Sequence, residues 1–453
     1  MQQNILKNIL YNKKQWLIKQ QRKFPLKKIS NHIIPSNRNF YKILKSTYPS
    51  FILEVKQASP STGVINANLN IKKITQVYKK HATIISVLTD EKYFYGNFQR
   101  LFEINQLVKQ PILCKDFFID PYQVYLARYY KADAILLMLS VLDDAQYKYL
   151  ENIAHKMNMG ILTEIHNEHE LHRAIKLKAK VIGINNRNLN NFQIDLNTTY
   201  TLAPMIPKNK IIISESGIKD HIQIKQLKKI VHGFLIGSSL MKSNDINLKV
   251  NNIIFGNNKI CGLTRTKDAI QAEKFGAVYG GLIFVSNSPR ALQYDTAKKI
   301  VKSTQLKYVG VFQNEDIEKI LFLIKKLKLY AIQLHGNENT EYILNIKKKI
   351  PKNVEIWKSI YIVKQKNQLD FKNINYYLFD NYQGGSGICF NWEYTKKYSL
   401  NKVFLSGGLS EKNCIQAKQL NCFGLDFNSQ LEHTIGIKNH KKLKILFTKL
   451  KLS

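Results

Sequence analysis

Short, β-rich apolar runs alternate with longer amphipathic segments along the chain, a pattern that predicts strands covered by helices. In the first half the runs are Phe51–Lys56 (FILEVK), Thr83–Asp90 (TIISVLTD), Pro111–Phe117 (PILCKDF) and Ala134–Ser140 (AILLMLS). Gly160–Ile165 (GILTEI), Val181–Arg187 (VIGINNR), Lys210–Gly217 (KIIISESG) and Gly233–Ser239 (GFLIGSS) follow. The second half repeats the pattern at Lys259–Thr264, Gly280–Val285, Lys307–Phe312, Ala331–Gly336, Glu355–Ile362, Tyr376–Asn381, Lys402–Leu409 and Gly424–Ser429. Runs that are apolar throughout belong to parallel strands buried on both faces. Eight strand–helix units in about 200 residues is the count that closes a barrel. A doubly wound sheet is the competing architecture, and it calls for a G-x-G-x-x-G turn after its first strand, which the sequence lacks. The expected fold class is therefore α/β, with two tandem (β/α)8 barrels over residues 1–256 and 257–453, divided at Gly256-Asn257-Asn258. Residues 1–45 read as a helical extension before the first barrel, anchored by Trp16 and the Phe40-Tyr41 pair.

Composition agrees with two packed cores. The chain has 453 residues, 44% of them hydrophobic, more than one core accommodates. No apolar run of about 18 residues predicts a membrane span, and Met1-Gln2-Gln3-Asn4 opens no secretory signal. The five cysteines (Cys114, Cys261, Cys389, Cys414 and Cys422) include no C-x-x-C pair. They point to a reducing cytoplasm and away from a disulfide framework or a structural metal site. The formal charge of +37 raises the possibility of nucleic acid. The lysines, however, are spread over the whole length beside an excess of Ile, Asn and Tyr, as drift of a coding sequence toward A and T produces. Neither a nucleic-acid nor a membrane partner is expected. Such a field favours capture of anionic phosphate esters.

In a barrel of this kind the site lies where the strands end. Glu54 and Lys56 sit two apart on the first strand, so their side chains point the same way. Lys115-Asp116 ends the third strand, Glu164 the fifth and Asn185-Asn186-Arg187 the sixth. One such charge reads as a solvated or paired surface residue; several around one mouth read as chemistry. A lysine in a partly apolar mouth is expected to have its pKa lowered toward the working range of a general acid. Ser214-Glu215-Ser216-Gly217 and Gly237-Ser238-Ser239 place small residues after the last two strands, where backbone N–H groups hold phosphate or simply turn the chain.

The strings ILEVKQASPS (Ile52–Ser61), SVLTDEKYFYG (Ser86–Gly96), PILCKDFFIDPYQ (Pro111–Gln123), GINNRNL (Gly183–Leu189), SESGI (Ser214–Ile218) and GFLIGSSLM (Gly233–Met241) resemble indole-3-glycerol phosphate synthase. The resemblance runs from the N-terminal helices to about residue 255. It implies ring closure of 1-(2-carboxyphenylamino)-1-deoxyribulose 5-phosphate with loss of carbon dioxide and water. By motif, Lys115 is then the general acid, while Glu164 and Lys56 share the proton transfers of dehydration. Glu54 positions the lysines, and Asn185 and Arg187 orient the intermediate. Ser59, Ser216, Gly217, Gly237 and Ser238 grip the phosphate.

The second half carries Cys261 after its first strand and Asp380-Asn381 after its sixth, with Gly384-Gly385-Ser386-Gly387 as a loop able to close. A buried cysteine packs as a small apolar residue and an Asp-Asn pair makes turns. Across one mouth they suit proton transfer at a sugar. KICGLTRTKDA (Lys259–Ala269), GGLIFVSNSPR (Gly280–Arg290), IQLHGNE (Ile332–Glu338), LFDNYQGGSG (Leu378–Gly387), LSGGL (Leu405–Leu409) and GLDFNS (Gly424–Ser429) resemble phosphoribosylanthranilate isomerase. That implies an Amadori rearrangement with Asp380 as acid and Cys261 as base. Arg290 would hold the anthranilate carboxylate, and Gly408 and Asn428 would lie at the phosphate. Tyr382 departs from the smaller residue expected there, which would slow loop closure. Together the halves resemble the bifunctional enzymes of bacterial tryptophan biosynthesis, with no cofactor, no metal and a monomer expected.

Overall fold

The structure, a computed structural model, describes residues 5–188, 191–363, 369, 371–381 and 387–452. It contains two compact units, Met1–Ile246 and Asn247–Ser453. In the first, β1 (Ser50–Val55), β2 (Ile84–Leu88), β3 (Ile112–Lys115), β4 (Ala134–Met138), β5 (Gly160–Ile165), β6 (Val181–Asn185), β7 (Ile211–Glu215) and β8 (Gly233–Ile236) close into a barrel. All neighbours are parallel, and β1 completes the ring by pairing Ile52 with Ile84 and Phe51 with Phe234. The helices between them start where the sequence places acceptors. Asp120 and Asp143 accept backbone N–H bonds at two N-termini, while Gln123 and Gln146 reach back to complete capping boxes.

The strands carry Ile52, Ile84, Leu113, Leu162, Ile213 and Leu235 into the barrel core. Phe40, on the helix Phe40–Ser46, joins this core and is 1% exposed. Tyr41 beside it accepts the N–H of Ile161 at 3.0 Å, fixing the segment to the start of β5. Trp16, on the helix Ile5–Lys23, stacks on Phe98 at 5.7 Å. The three aromatic anchors expected from the sequence therefore hold the helical extension onto the barrel.

In the second unit, β9 (Asn257–Ile260), β10 (Tyr279–Ile283), β11 (Lys307–Phe312), β12 (Ala331–Leu334), β13 (Glu355–Tyr361), β14 (Tyr376–Asp380), β15 (Val403–Leu405) and β16 (Gly424–Phe427) close a second parallel barrel. Its core is aromatic, with Trp357 stacked on Phe404 at 4.3 Å and Tyr279 edge-on to both. The helix Ile246–Phe255 packs on this unit. Asn251 bonds the carbonyls of Glu273 and Ala277, and Phe255 meets Phe447 edge-on.

All sixteen expected strands form, but most stop short of the run that predicted them. Lys210–Gly217 ends at Glu215 because Ser216 and Gly217 take φ of +65° and +89°, which breaks the extended backbone. Gly233–Ser239 ends at Ile236 and passes into the short helix Ser238–Met241. Two hairpins were not expected: Ala58–Ser59 with Gly63–Val64, and Glu432–Thr434 with Ile437–Lys438. Segments of two or three residues are too short to show a period.

Among the described residues no helix is long and apolar enough to cross a membrane. Truncating Phe40 would empty part of the first core. Phe40→Ala is expected to lower the stability of that unit by about 3–5 kcal/mol, read by calorimetry, with the second barrel's activity retained.

Candidate active sites

Strand ends of the first barrel gather charged residues from chain positions more than 150 apart. Lys115 Nζ, at the end of β3, lies 3.0 Å from Glu164 Oε2 of β5 and 3.4 Å from Glu215 Oε2 of β7. Asn185, ending β6, donates its amide to the other oxygen of Glu164 at 3.1 Å. Lys56 lies 3.1 Å from Glu54 Oε1, as the two-residue spacing on one face requires. His166 bridges Glu164 and Glu170, at 3.3 and 3.2 Å. Gly237 leaves the space that Glu54 fills, since a Cβ there would stand 2.2 Å from the carboxylate.

These charges sit almost out of water, which decides their protonation. Burial alone would lower the Lys115 ammonium, but Glu164 first, then Glu215 and Glu54, outweigh it, and its pKa is raised. The expectation of a lowered lysine is thus reversed: the mouth is apolar around the rim but lined with carboxylates at its base. Burial would likewise raise Glu164, yet Lys115, His166 and Asn185 hold it below the ordinary carboxylate range. Glu215 goes the other way. Its burial, with Glu164 and Glu54 adding to it against Lys115, pushes it up to about 8, so it keeps its proton at neutral pH.

Arg187 donates its backbone N–H to Asn185 at 3.0 Å and its guanidinium to Ser61 at 3.0 Å. With Lys56, Ser59, Phe94, Phe117 and Phe192 it lines a cavity to which Ile5, Leu6 and Ile9 of the N-terminal helix also contribute. Ser59 lies on the unexpected short hairpin. After β7, Ser216 and Gly217 both adopt positive φ, and a side chain at Gly217 would strike Ile194 at 2.7 Å. Ser239, after β8, bonds the carbonyl of Ile218 at 2.8 Å, so the last two loops are tied together beside Gly237 and Ser238.

In the second barrel one cavity of about 660 Å³ is lined by Cys261, Arg290, His335, Asp380, Gly408 and Asn428. Both candidates for proton transfer, and all three for binding, therefore face a common space. Asp380 accepts from Ser406 Oγ at 3.2 Å and from the Asn381 N–H at 2.8 Å. Burial nevertheless pushes its pKa up to about 6. Burial also pushes the Cys261 thiol up, against the pull of Lys259. His335, 3.9 Å from Asp380, is held down at about 4 by burial and by Lys259 and Lys358, and is neutral.

Arg290 is already engaged in this structure: its Nε and Nη2 donate to both oxygens of Glu432 at 2.9 and 2.7 Å. Asn428 accepts from Lys438 Nζ at 2.9 Å, and Lys438 also pairs with Glu432 at 2.8 Å. The Gly408 carbonyl takes bonds from Asn413 at 3.0 Å and from Cys389 at 3.2 Å. Tyr382 and the first three residues of the Gly384–Gly387 loop lie outside the described residues; Gly387 lines the cavity.

Sequence reasoning missed Glu215, His166, Lys259 and Glu432. Glu215 ends an apolar strand just as Glu164 does, and the same rule would have found it. Lys259 carried the same signal, a charge inside an apolar strand. It is fully buried, 2.7 Å from Asp426 and 2.9 Å from Gln333.

Two family models divide the chain between them. One described as indole-3-glycerol phosphate synthase matches residues 6–253, and one described as N-(5'phosphoribosyl)anthranilate (PRA) isomerase matches residues 258–449. "Tryptophan biosynthesis protein TrpCF" of Buchnera aphidicola subsp. Baizongia pistaciae is 54% identical over 446 residues, 98% of this chain and 95% of that protein. The protein of that name from Salmonella typhi is 48% identical, covering 99% of each chain. Among solved structures, phosphoribosyl anthranilate isomerase of Thermus thermophilus aligns with 43% of this chain and 98% of its own, at 28% identity and a TM-score of 0.40. Matched by both families in this order, the chain belongs to the bifunctional enzymes of tryptophan biosynthesis that join an indole-3-glycerol phosphate synthase barrel to a phosphoribosylanthranilate isomerase barrel.

Proposed function

We propose that Cys261 and Asp380 perform the isomerisation and that Lys115, Glu164 and Lys56 perform the ring closure. The carrying observation is that each group of residues, drawn from separate strands, converges at one barrel mouth. The second barrel acts first. It turns N-(5-phosphoribosyl)anthranilate into 1-(2-carboxyphenylamino)-1-deoxyribulose 5-phosphate, the substrate of the first barrel.

In the isomerisation, Asp380 gives its proton to the furanose ring oxygen and the ring opens to an iminium. Cys261 as thiolate then takes the proton from the neighbouring carbon, and the resulting enol rearranges to the ketone. Burial supports the first role directly, since a carboxyl with its pKa near 6 keeps a usable proton. Arg290 lines the cavity with Nε and Nη2 held by Glu432, which leaves Nη1 to meet the anthranilate carboxylate. Gly408 and Asn428 receive the phosphate.

For ring closure, Lys115 donates to the ketone oxygen as the aromatic carbon attacks it. The carboxylates around it keep it charged and fixed in direction, so it meets the oxygen where negative charge develops. Carbon dioxide then leaves from the attacking carbon. Glu164 and Lys56 move the protons of dehydration, Glu54 holds Lys56, and Asn185 and Arg187 orient the intermediate. Ser59, Ser216, Gly217, Gly237 and Ser238 hold the phosphate at the joined loops of β7 and β8. We read the chain as a cytoplasmic monomer that needs no cofactor and no nucleic acid, because two successive steps are already joined covalently.

The activities should separate. Cys261→Ala or Asp380→Asn is expected to lower isomerisation by about 10²–10⁴-fold and to leave ring closure intact. Lys115→Ala or Glu164→Gln should do the reverse, each variant being assayed on both substrates. Loss of both reactions in one folded variant would contradict two separate sites.

The isomerase pH profile follows from its two groups. The reactive form carries protonated Asp380 and ionised Cys261. Between their pKa values the share of that form is constant. Below about 6 Asp380 is already protonated, and further acid only neutralises the thiolate. The kcat/KM profile is therefore expected to fall on the acid side from a break near 6, and again above the raised thiol pKa. A rate still rising as pH falls below the break would contradict this assignment.

A further inference from the structure

We infer that Lys13 is a positioning residue for ring closure: it latches the N-terminal helix onto the ends of β2 and β3 and so sets the place of Lys115. Its ammonium lies 2.7 Å from Asp90 Oδ2 and 2.7 Å from Asp116 Oδ1. All three residues are buried, and Lys13 is 3% exposed although it sits on a helix rich in polar residues. None of these residues has a part in the chemistry assigned above.

Each contact has a consequence. Asp90 follows β2 and accepts the N–H of Tyr93 at 2.8 Å, starting the helix Glu91–Phe94. Asp116 is the chain neighbour of Lys115. It is fixed further by Thr89 Oγ1 at 2.8 Å and by the N–H of Phe117 at 2.7 Å. Lys13 is thus the cation joining two carboxylates that end adjacent strands. Without it, two buried negative charges would face each other, and each is costly when unpaired. The ends of β2 and β3 would have to spread or take up protons, and Lys115 would move with Asp116.

On the helix itself, Lys13 stands four residues after Ile9, on the same face. Ile9, Leu6 and Ile5 line the cavity that also holds Lys56 and Arg187, and they share one apolar cluster with Phe94 and Phe117. Asn12 donates to the Tyr93 hydroxyl at 2.9 Å, and Lys13 lies 5.0 Å from the Trp16 ring. The helix that lines this cavity is therefore the helix whose lysine holds Asp116. Docking of the helix and alignment of the acid are one event.

A helix that merely adds packing would affect substrate binding and stability but not the chemical step. Lys13→Met is therefore expected to lower kcat for ring closure by at least about tenfold. The isomerase rate of the same sample should be unchanged, and a retained unfolding transition of the first unit, read by calorimetry, certifies its fold. Lys13→Arg should recover most of the lost kcat, and Ile9→Ala should raise KM with little change in kcat. Should Lys13→Met fail to fold, Asp116→Asn leaves one cation against one anion and carries the same expectation. A kcat reduced less than tenfold in the folded variant overturns the latch. The inference rests on Lys115 being the acid, so Lys115→Ala is run beside it. If Lys115→Ala keeps its activity, the assignment of the acid falls and the latch with it. An inactive Lys115→Ala beside an unimpaired Lys13→Met refutes the latch alone.

Discussion

A charge buried in a barrel persists against an opposite charge that the fold brings to it. Both barrels are organised around that constraint. In the first, Lys115 meets Glu164, Lys56 meets Glu54, and Lys13 meets Asp90 and Asp116. In the second, Lys259 meets Asp426, while Arg290 and Lys438 share Glu432. The closed parallel sheet brings Lys115 to Glu164 and Lys259 to Asp426, a helix brings Lys13, and a short hairpin brings Glu432 and Lys438.

The same pairing tunes the two mouths differently. Carboxylates crowd Lys115, which keeps it charged and leaves Glu215 protonated. That environment suits stabilisation of a developing oxyanion. Among the described residues Asp380 has no cation in direct contact, and Ser406 and the Asn381 N–H donate to it. Its burial therefore dominates and the carboxyl stays protonated further up the pH scale. One fold thus holds two ionisable groups of opposite character, set by what stands beside each.

Most of the architecture was legible from period alone. The sixteen apolar runs marked sixteen strands, since burial on both faces leaves few polar positions inside them. Their C-terminal limits were not legible, because residues such as Ser216 and Gly237 look like strand ends until the backbone turns. Charges inside apolar runs announced Glu54, Lys115 and Glu164. Glu215 and Lys259 obeyed the same rule but were overshadowed by small residues and by Cys261. The engagement of Arg290 with Glu432 was hidden because a hairpin of a few residues brings them together across 142 positions. Lys13 was hidden for a similar reason: one lysine in a polar helix has no local mark of burial.

The division of labour, one reaction to each barrel, makes the product of the second the substrate of the first. Its most direct test is complementation in trans. A Lys115→Ala chain and an Asp380→Asn chain are mixed, phosphoribosylanthranilate is supplied, and indole-3-glycerol phosphate is followed with time. The mixture should form product after a lag in which the aminodeoxyribulose phosphate accumulates, while either variant alone forms it at least about a hundredfold more slowly. Failure of the folded mixture to make product would contradict the assignment of one reaction to each barrel.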